Sequence, residues 1–122
     1  MSDNIYKIDA GEDTPLFLFD KDLCHITIKG VSMPENAFEF YDPLEKMILG
    51  NVGSSPVLEI ELSYMNSMSN KQLLKLIKQL AAKNSSLKVI WKYANGDSLI
   101  KNKGEEICTI CAPIQVIVEE ST

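Results

Sequence analysis

The run from Val57 to Ala82, VLEIELSYMNSMSNKQLLKLIKQLAA, changes its hydrophobic period partway along, which limits the chain to folds where a strand leads straight into a helix. Leu58, Ile60, Leu62 and Tyr64 alternate with Glu59, Glu61 and Ser63, the two-residue repeat of a strand with one buried and one wet face. Farther on, Leu73, Leu76, Ile77, Leu80 and Ala81 recur at three- and four-residue spacing, with Lys71, Lys75, Lys78 and Gln79 opposite. Between the two lies Met65-Asn66-Ser67-Met68-Ser69, a short polar hinge carrying two hydroxyls.

The first N–H groups of a helix lack intrahelical partners and its dipole is positive there, so this hinge favours an anion. Ser69 with Gln72 fits the S-x-x-Q capping box, which predicts Ser69 as the cap and engages its hydroxyl. Ser67 stands two residues earlier and is the freer hydroxyl, with the helix start and Lys71 in reach. Chemistry alone equally allows Ser67 to be a plain loop residue or itself the cap.

Around this run the chain reads as strands and helices in alternation. Residues 1–13 are polar and predict a loosely ordered tail. Leu16-Phe17-Leu18-Phe19 and the stretch from Leu23 to Lys29, joined by Asp20-Lys21-Asp22, predict a β-hairpin. Its second strand puts Cys24, Ile26 and Ile28 on one face and His25, Thr27 and Lys29 on the other. Ser32 with Glu35 reads as a capping box with Pro34 in the first turn, opening a helix to Gly50 that Pro43 kinks or splits. A strand from Leu87 to Tyr93 follows the second helix, and a strand-helix-strand unit of this length is a right-handed crossover with parallel strands. If the strands are neighbours, Glu59 and Glu61 share a wet sheet face with Lys88 and Lys92, and cross-strand ion pairs account for those charges. Asp97 caps a third helix to about Cys111, weakened by Gly104 and stopped by Pro113, and Ile114 to Val118 is a last strand. The order predicts an α/β (α+β) fold, a mixed sheet of about five strands with helices mainly on one face.

The segment from Tyr64 to Lys71 resembles the Y-[LF]-N-[TS]-S-S-x-K signature of the SiaC-like regulatory phosphoproteins of bacteria. Upstream, Gly30-Val31-Ser32-Met33-Pro34-Glu35-Asn36-Ala37 and Phe40-Tyr41-Asp42-Pro43 resemble that family's G-x-S-x-P-E-N-A and F-Y-x-P stretches. The end of the next strand, Trp91-Lys92-Tyr93, and Gly104-Glu105 are weaker matches in the right order, so the resemblance spans nearly the whole chain. It implies a STAS-like domain, akin to anti-sigma-factor antagonists, acting as a partner switch in c-di-GMP signalling and biofilm control. In such proteins a Ser/Thr protein kinase modifies the hydroxyl at the N-[TS] position, a phosphatase releases it, and the unmodified form binds and activates a diguanylate cyclase. Carried over by position, the phosphoacceptor is Ser67, surrounded by Tyr64, Asn66, Met68, Ser69 and Lys71. The second motif adds Glu35 and Asn36 near Ser67. Serine replaces the commoner threonine, and Met68 stands where the family commonly has serine.

A chain of 122 residues is one domain by length, large enough to bury a core without disulfides or metal. No basic-then-apolar leader opens the sequence and no apolar run spans a bilayer, so a cytoplasmic location is expected. The formal charge of −5 argues against nucleic acid as a partner, since binding would need a basic face, and against an anionic membrane. Lys71, Lys75 and Lys78 read as a solvated helix face.

Enzymatic readings fare poorly. Cys108 and Cys111 form C-x-x-C, but at a helix C-terminus, where the dipole opposes a thiolate. Zinc would need Cys24 and His25 together, and adjacent strand residues point to opposite faces. His25 lacks a nucleophile partner by spacing, and no phosphate-cradling glycine loop is present. No cofactor is expected, and the sequence reads as a non-enzymatic switch. The alternative is a small-ligand-binding or scaffold module of the same fold, without the switch.

Overall fold

The computed structural model describes residues 4–121. Nine elements follow in order: β1 (Ile5–Ile8), β2 (Leu16–Asp20), β3 (His25–Ser32), α1 (Ala37–Asn51), β4 (Val57–Met65), α2 (Ser67–Lys83), β5 (Lys88–Tyr93), α3 (Ser98–Ile110) and β6 (Gln115–Glu120). The strands form one sheet in chain order, antiparallel from β1 to β3 and parallel from β3 to β6. Because the parallel strands advance without reversing, right-handed crossovers deliver α1, α2 and α3 to the same face.

That face is the core. Phe17, Phe19, Ile26, Ile28, Leu58, Ile60, Val89 and Trp91 alternate along the strands and are buried, and Tyr41, Leu44, Ile48, Leu73, Ile77, Leu80, Ile100 and Ile107 close over them from the helices. Gly104 serves packing rather than weakening α3. An added Cβ there would stand 2.3 Å from Trp91 Cδ1, so only glycine lets α3 lie against the indole. The indole Nε1–H donates to the Ile100 carbonyl at 2.8 Å.

The opposite face carries the polar set. Glu59 lies between His25 and Lys92, with Oε1 3.1 Å from His25 Nε2 and Oε2 3.1 Å from the Lys92 ammonium. Of the expected cross-strand charge pairs, Glu59–Lys92 forms, whereas Glu61 and Lys88 make no ion pair among the described residues. Partial burial pushes the Glu59 carboxyl up, but hydrogen bonds and charge from Lys92 and His25 outweigh it and hold the group below its ordinary value.

Several expectations are corrected. Among the described residues the sheet has six strands, one more than the mixed sheet of about five, because Ile5–Ile8 pairs with β2 instead of joining a loose tail. Tyr6 packs edge-on against Phe17 at 6.0 Å, and the Asn4 amide donates to the Asp22 carboxylate at 2.9 Å, tying the strand down. Residues 1–3 of the expected tail lie outside the described residues.

Cys24 is in a left-handed turn, φ 51°, and so precedes β3 rather than sharing its apolar face. β3 itself continues to Ser32, its register shifting at Gly30, whose φ of 122° suits glycine. Ser32 is thus a strand residue and not a cap. The α1 cap is Asn36, whose side chain accepts from the Glu39 N–H at 3.1 Å, and the helix runs unbroken through Pro43. Among the described residues no helix is long and apolar enough to cross a membrane.

Candidate functional site

Asn66, not Ser69, starts α2. Its Oδ1 accepts from the Ser69 N–H at 2.8 Å and its carbonyl from the Asn70 N–H at 3.1 Å. Its own N–H donates to the Ser32 carbonyl at 3.0 Å, so the cap is pinned to the end of β3. Ser67 is consequently the first residue of the helix, beside N–H groups that have no intrahelical acceptor. Its side chain is exposed and no acidic residue occupies the first turn.

The S-x-x-Q capping box does not form. Ser69 is fully buried, and its hydroxyl accepts from Ser32 Oγ at 2.8 Å. Ser32 Oγ also lies 2.5 Å from the Tyr41 hydroxyl, making a chain of three buried hydroxyls that joins β3, α1 and the root of α2. Burial pushes Tyr41 up to about 12, against a smaller downward pull from its hydrogen bond with Ser32. Gln72, the other half of the expected box, has its buried Oε1 without a partner among the described residues.

A cleft of about 250 Å³ opens at this junction, lined by Ser63 to Ser67 and Asn70 on one side and by Asp97, Leu99, Ile100 and Lys103 on the other. Of the residues expected around Ser67, Tyr64 and Asn66 line this cleft. Met68 is half exposed beside it, Lys71 is exposed one helical turn beyond Ser67, and Ser69 lies beneath. Glu35 and Asn36 are not brought into the cleft. They line a separate recess at the start of α1, with Glu39 and Phe40.

The α3 residues of the cleft had no local signal in the sequence. They arrive because consecutive parallel strands place the β3–α1, β4–α2 and β5–α3 junctions along one edge of the sheet. The same edge gathers exposed apolar side chains: Met33, Phe38, Tyr64 at 52% exposure, Met68 at 50% and Leu99 at 79%.

The remaining chemistry-bearing residues lie elsewhere. Cys111 caps the C-terminus of α3 and is buried, which pushes its thiol up, whereas Cys108 is exposed. Among the described residues no group of three or more His, Cys, Asp or Glu side chains could hold a metal ion.

Residues 8–119 match the family model of SiaC family regulatory phosphoproteins. A search of curated protein sequences found no match. Three solved chains of Pseudomonas aeruginosa share the fold. One comes from the crystal structure of diguanylate cyclase SiaD in complex with its activator SiaC; it is 19% identical with a TM-score of 0.83, covering 95% of this chain and 99% of that one. Apo-SiaC is 19% identical with a TM-score of 0.75, covering 98% and 99%. A further SiaC structure is 20% identical with a TM-score of 0.81, covering 99% and 100%.

Proposed function

The chain belongs to the SiaC family of regulatory phosphoproteins, and from that premise we propose that reversible phosphorylation of Ser67 controls its binding to a diguanylate cyclase. The observation that carries the reading is the position of one hydroxyl. Ser67 is exposed at the first position of α2, in a cleft it shares with exposed Tyr64 and Leu99 and next in sequence to exposed Met68.

A kinase can reach that hydroxyl, and a phosphate there gains the unpaired N–H groups and positive end of α2. In the unmodified protein those apolar side chains can close against a partner. A group of charge about −1.5 to −2 beside them would have to be desolvated on docking, so modification releases the partner. The partner carries the output, and this chain supplies a surface with two states. The kinase, the phosphatase and a cytoplasmic setting with ATP belong to the same reading.

The alternative of a small-ligand module is less well supported. The cleft, at about 250 Å³, falls below the roughly 300–1,000 Å³ of small-molecule sites and better suits a partner's side chain. Incubation with the cognate kinase and ATP, followed by intact-mass measurement, tests the assignment. One phosphoryl group should add to the wild type and none to Ser67→Ala. A gain that persists in Ser67→Ala would overturn it.

A further inference from the structure

The α2 helix carries four lysines and no carboxylate, in a chain whose formal charge is −5. Lys83 is engaged by the Leu49 carbonyl at the end of α1. The other three, Lys71, Lys75 and Lys78, are spaced four and three residues apart, so they stand in one line, and with Leu74 they edge a groove of about 260 Å³. Leu73, Leu76, Ile77 and Leu80 are buried in the core, which turns the lysine line outward.

Lys75 is held in place, its ammonium 3.6 Å from the buried Glu45 carboxylate and 5.3 Å from the centre of the Phe38 ring. Lys71 and Lys78 are exposed and form no ion pair among the described residues. Like charges in line repel one another, and with no carboxylate on their own helix they gain most from an opposing anionic surface. Ser67 heads the same line, one turn before Lys71.

We propose that the groove of Lys71, Lys75 and Lys78 docks an acidic segment of a protein partner, with half-buried Leu74 meeting an apolar side chain. A phosphate on Ser67 then competes by engaging Lys71 from within the chain. This second step rests on the Ser67 reading above, whereas the docking groove does not. The occupant is a protein segment rather than a lipid surface because the apolar side of α2 is already spent in the core and cannot enter a bilayer. A nucleic acid is disfavoured by the acidic remainder of the chain.

The test is a titration of the isotope-labelled full chain, followed by amide chemical shifts, with a synthetic glutamate-rich amphipathic helix carrying leucines along one face. A lysine-rich helix and phosphatidylglycerol vesicles run alongside. The acidic helix alone should shift Lys71, Leu74, Lys75 and Lys78. Lys71→Glu combined with Lys78→Glu, folded by circular dichroism, should weaken binding by about tenfold or more, and added salt should weaken it in the wild type. Shifts mapping elsewhere, unchanged affinity in the double variant, or tighter binding to the vesicles would each overturn the proposal. Repeating the titration with chain phosphorylated at Ser67 should show weaker binding; equal affinity would remove the competition step alone. Failure of Ser67 to accept phosphate would sink the function proposed above and leave the groove to be judged by the unmodified chain.

Discussion

Ser32 and Ser69, 37 residues apart in sequence, meet hydroxyl to hydroxyl at 2.8 Å in fully buried surroundings beneath the α2 start. Ser32→Ala deprives both Ser69 and Tyr41 of a partner while keeping them buried. Leaving buried polar groups unpaired costs about 1–3 kcal/mol, so urea unfolding should show a loss of that order. Tyr41→Phe removes one partner only and should cost less. If Ser32→Ala unfolds at the wild-type midpoint, the three hydroxyls do not help hold β3, α1 and α2 together.

Asn66 caps α2 through Ser69 N–H, and no other side chain among the described residues takes that role. Asn66→Ala should destabilise the protein by about 1 kcal/mol, the usual worth of a lost cap. Amide exchange of the first α2 turn should accelerate more than that of Leu76 or Leu80. Uniform acceleration across the helix would count against a local capping role.

Gly104→Ala places a methyl group against the Trp91 indole, which is fully buried. Alanine's better helix propensity, about 1 kcal/mol, works the other way. Overpacking of a tight core contact costs about 1–3 kcal/mol, and with an approach of 2.3 Å to Cδ1 we expect the clash to dominate. The chain has one tryptophan, so its fluorescence reports the displacement directly. A melting temperature at or above wild type would show that α3 can slide away without loss.

Stability should fall in acid partly through Glu59. Its folded-state pKa lies below the ordinary 4.5, so the ionised form is favoured on folding. That contribution is fully present above the unfolded value and is lost as pH falls through the depressed folded value. Glu59→Gln should flatten the acid limb of a stability-versus-pH curve below about 4.5. An unchanged limb would assign the acid sensitivity to other carboxylates.

The period change in the Val57 to Ala82 run was enough to foresee β4, α2 and the parallel partner β5, because alternation and helical spacing are properties of neighbouring residues. Both capping boxes read from the sequence failed for one reason. Ser32 and Ser69 each sit at a plausible cap position, but their hydroxyls bond to each other, and a contact across the fold leaves no trace in a local pattern. Asn36 and Asn66, residues with equal capping preference, take the helix starts instead. β1 went unseen because four residues, one of them lysine, are too short a sample to show a period. The place of Ser67 at the strand-to-helix junction was legible from the hinge, although the helix begins at Ser67 itself rather than after Ser69. Leu99 and Lys103 were not, since their place beside it depends on the order of strands in the sheet.

The three helix starts share one edge of the sheet, and on the proposed reading this has a kinetic consequence. A cyclase seated on that edge would shade the hydroxyl that the kinase must reach, so a docked molecule is invisible to the enzyme that would silence it. Silencing then waits for spontaneous departure of the cyclase, and the lifetime of the complex, rather than kinase abundance, sets the fastest tempo at which the signal can be turned down.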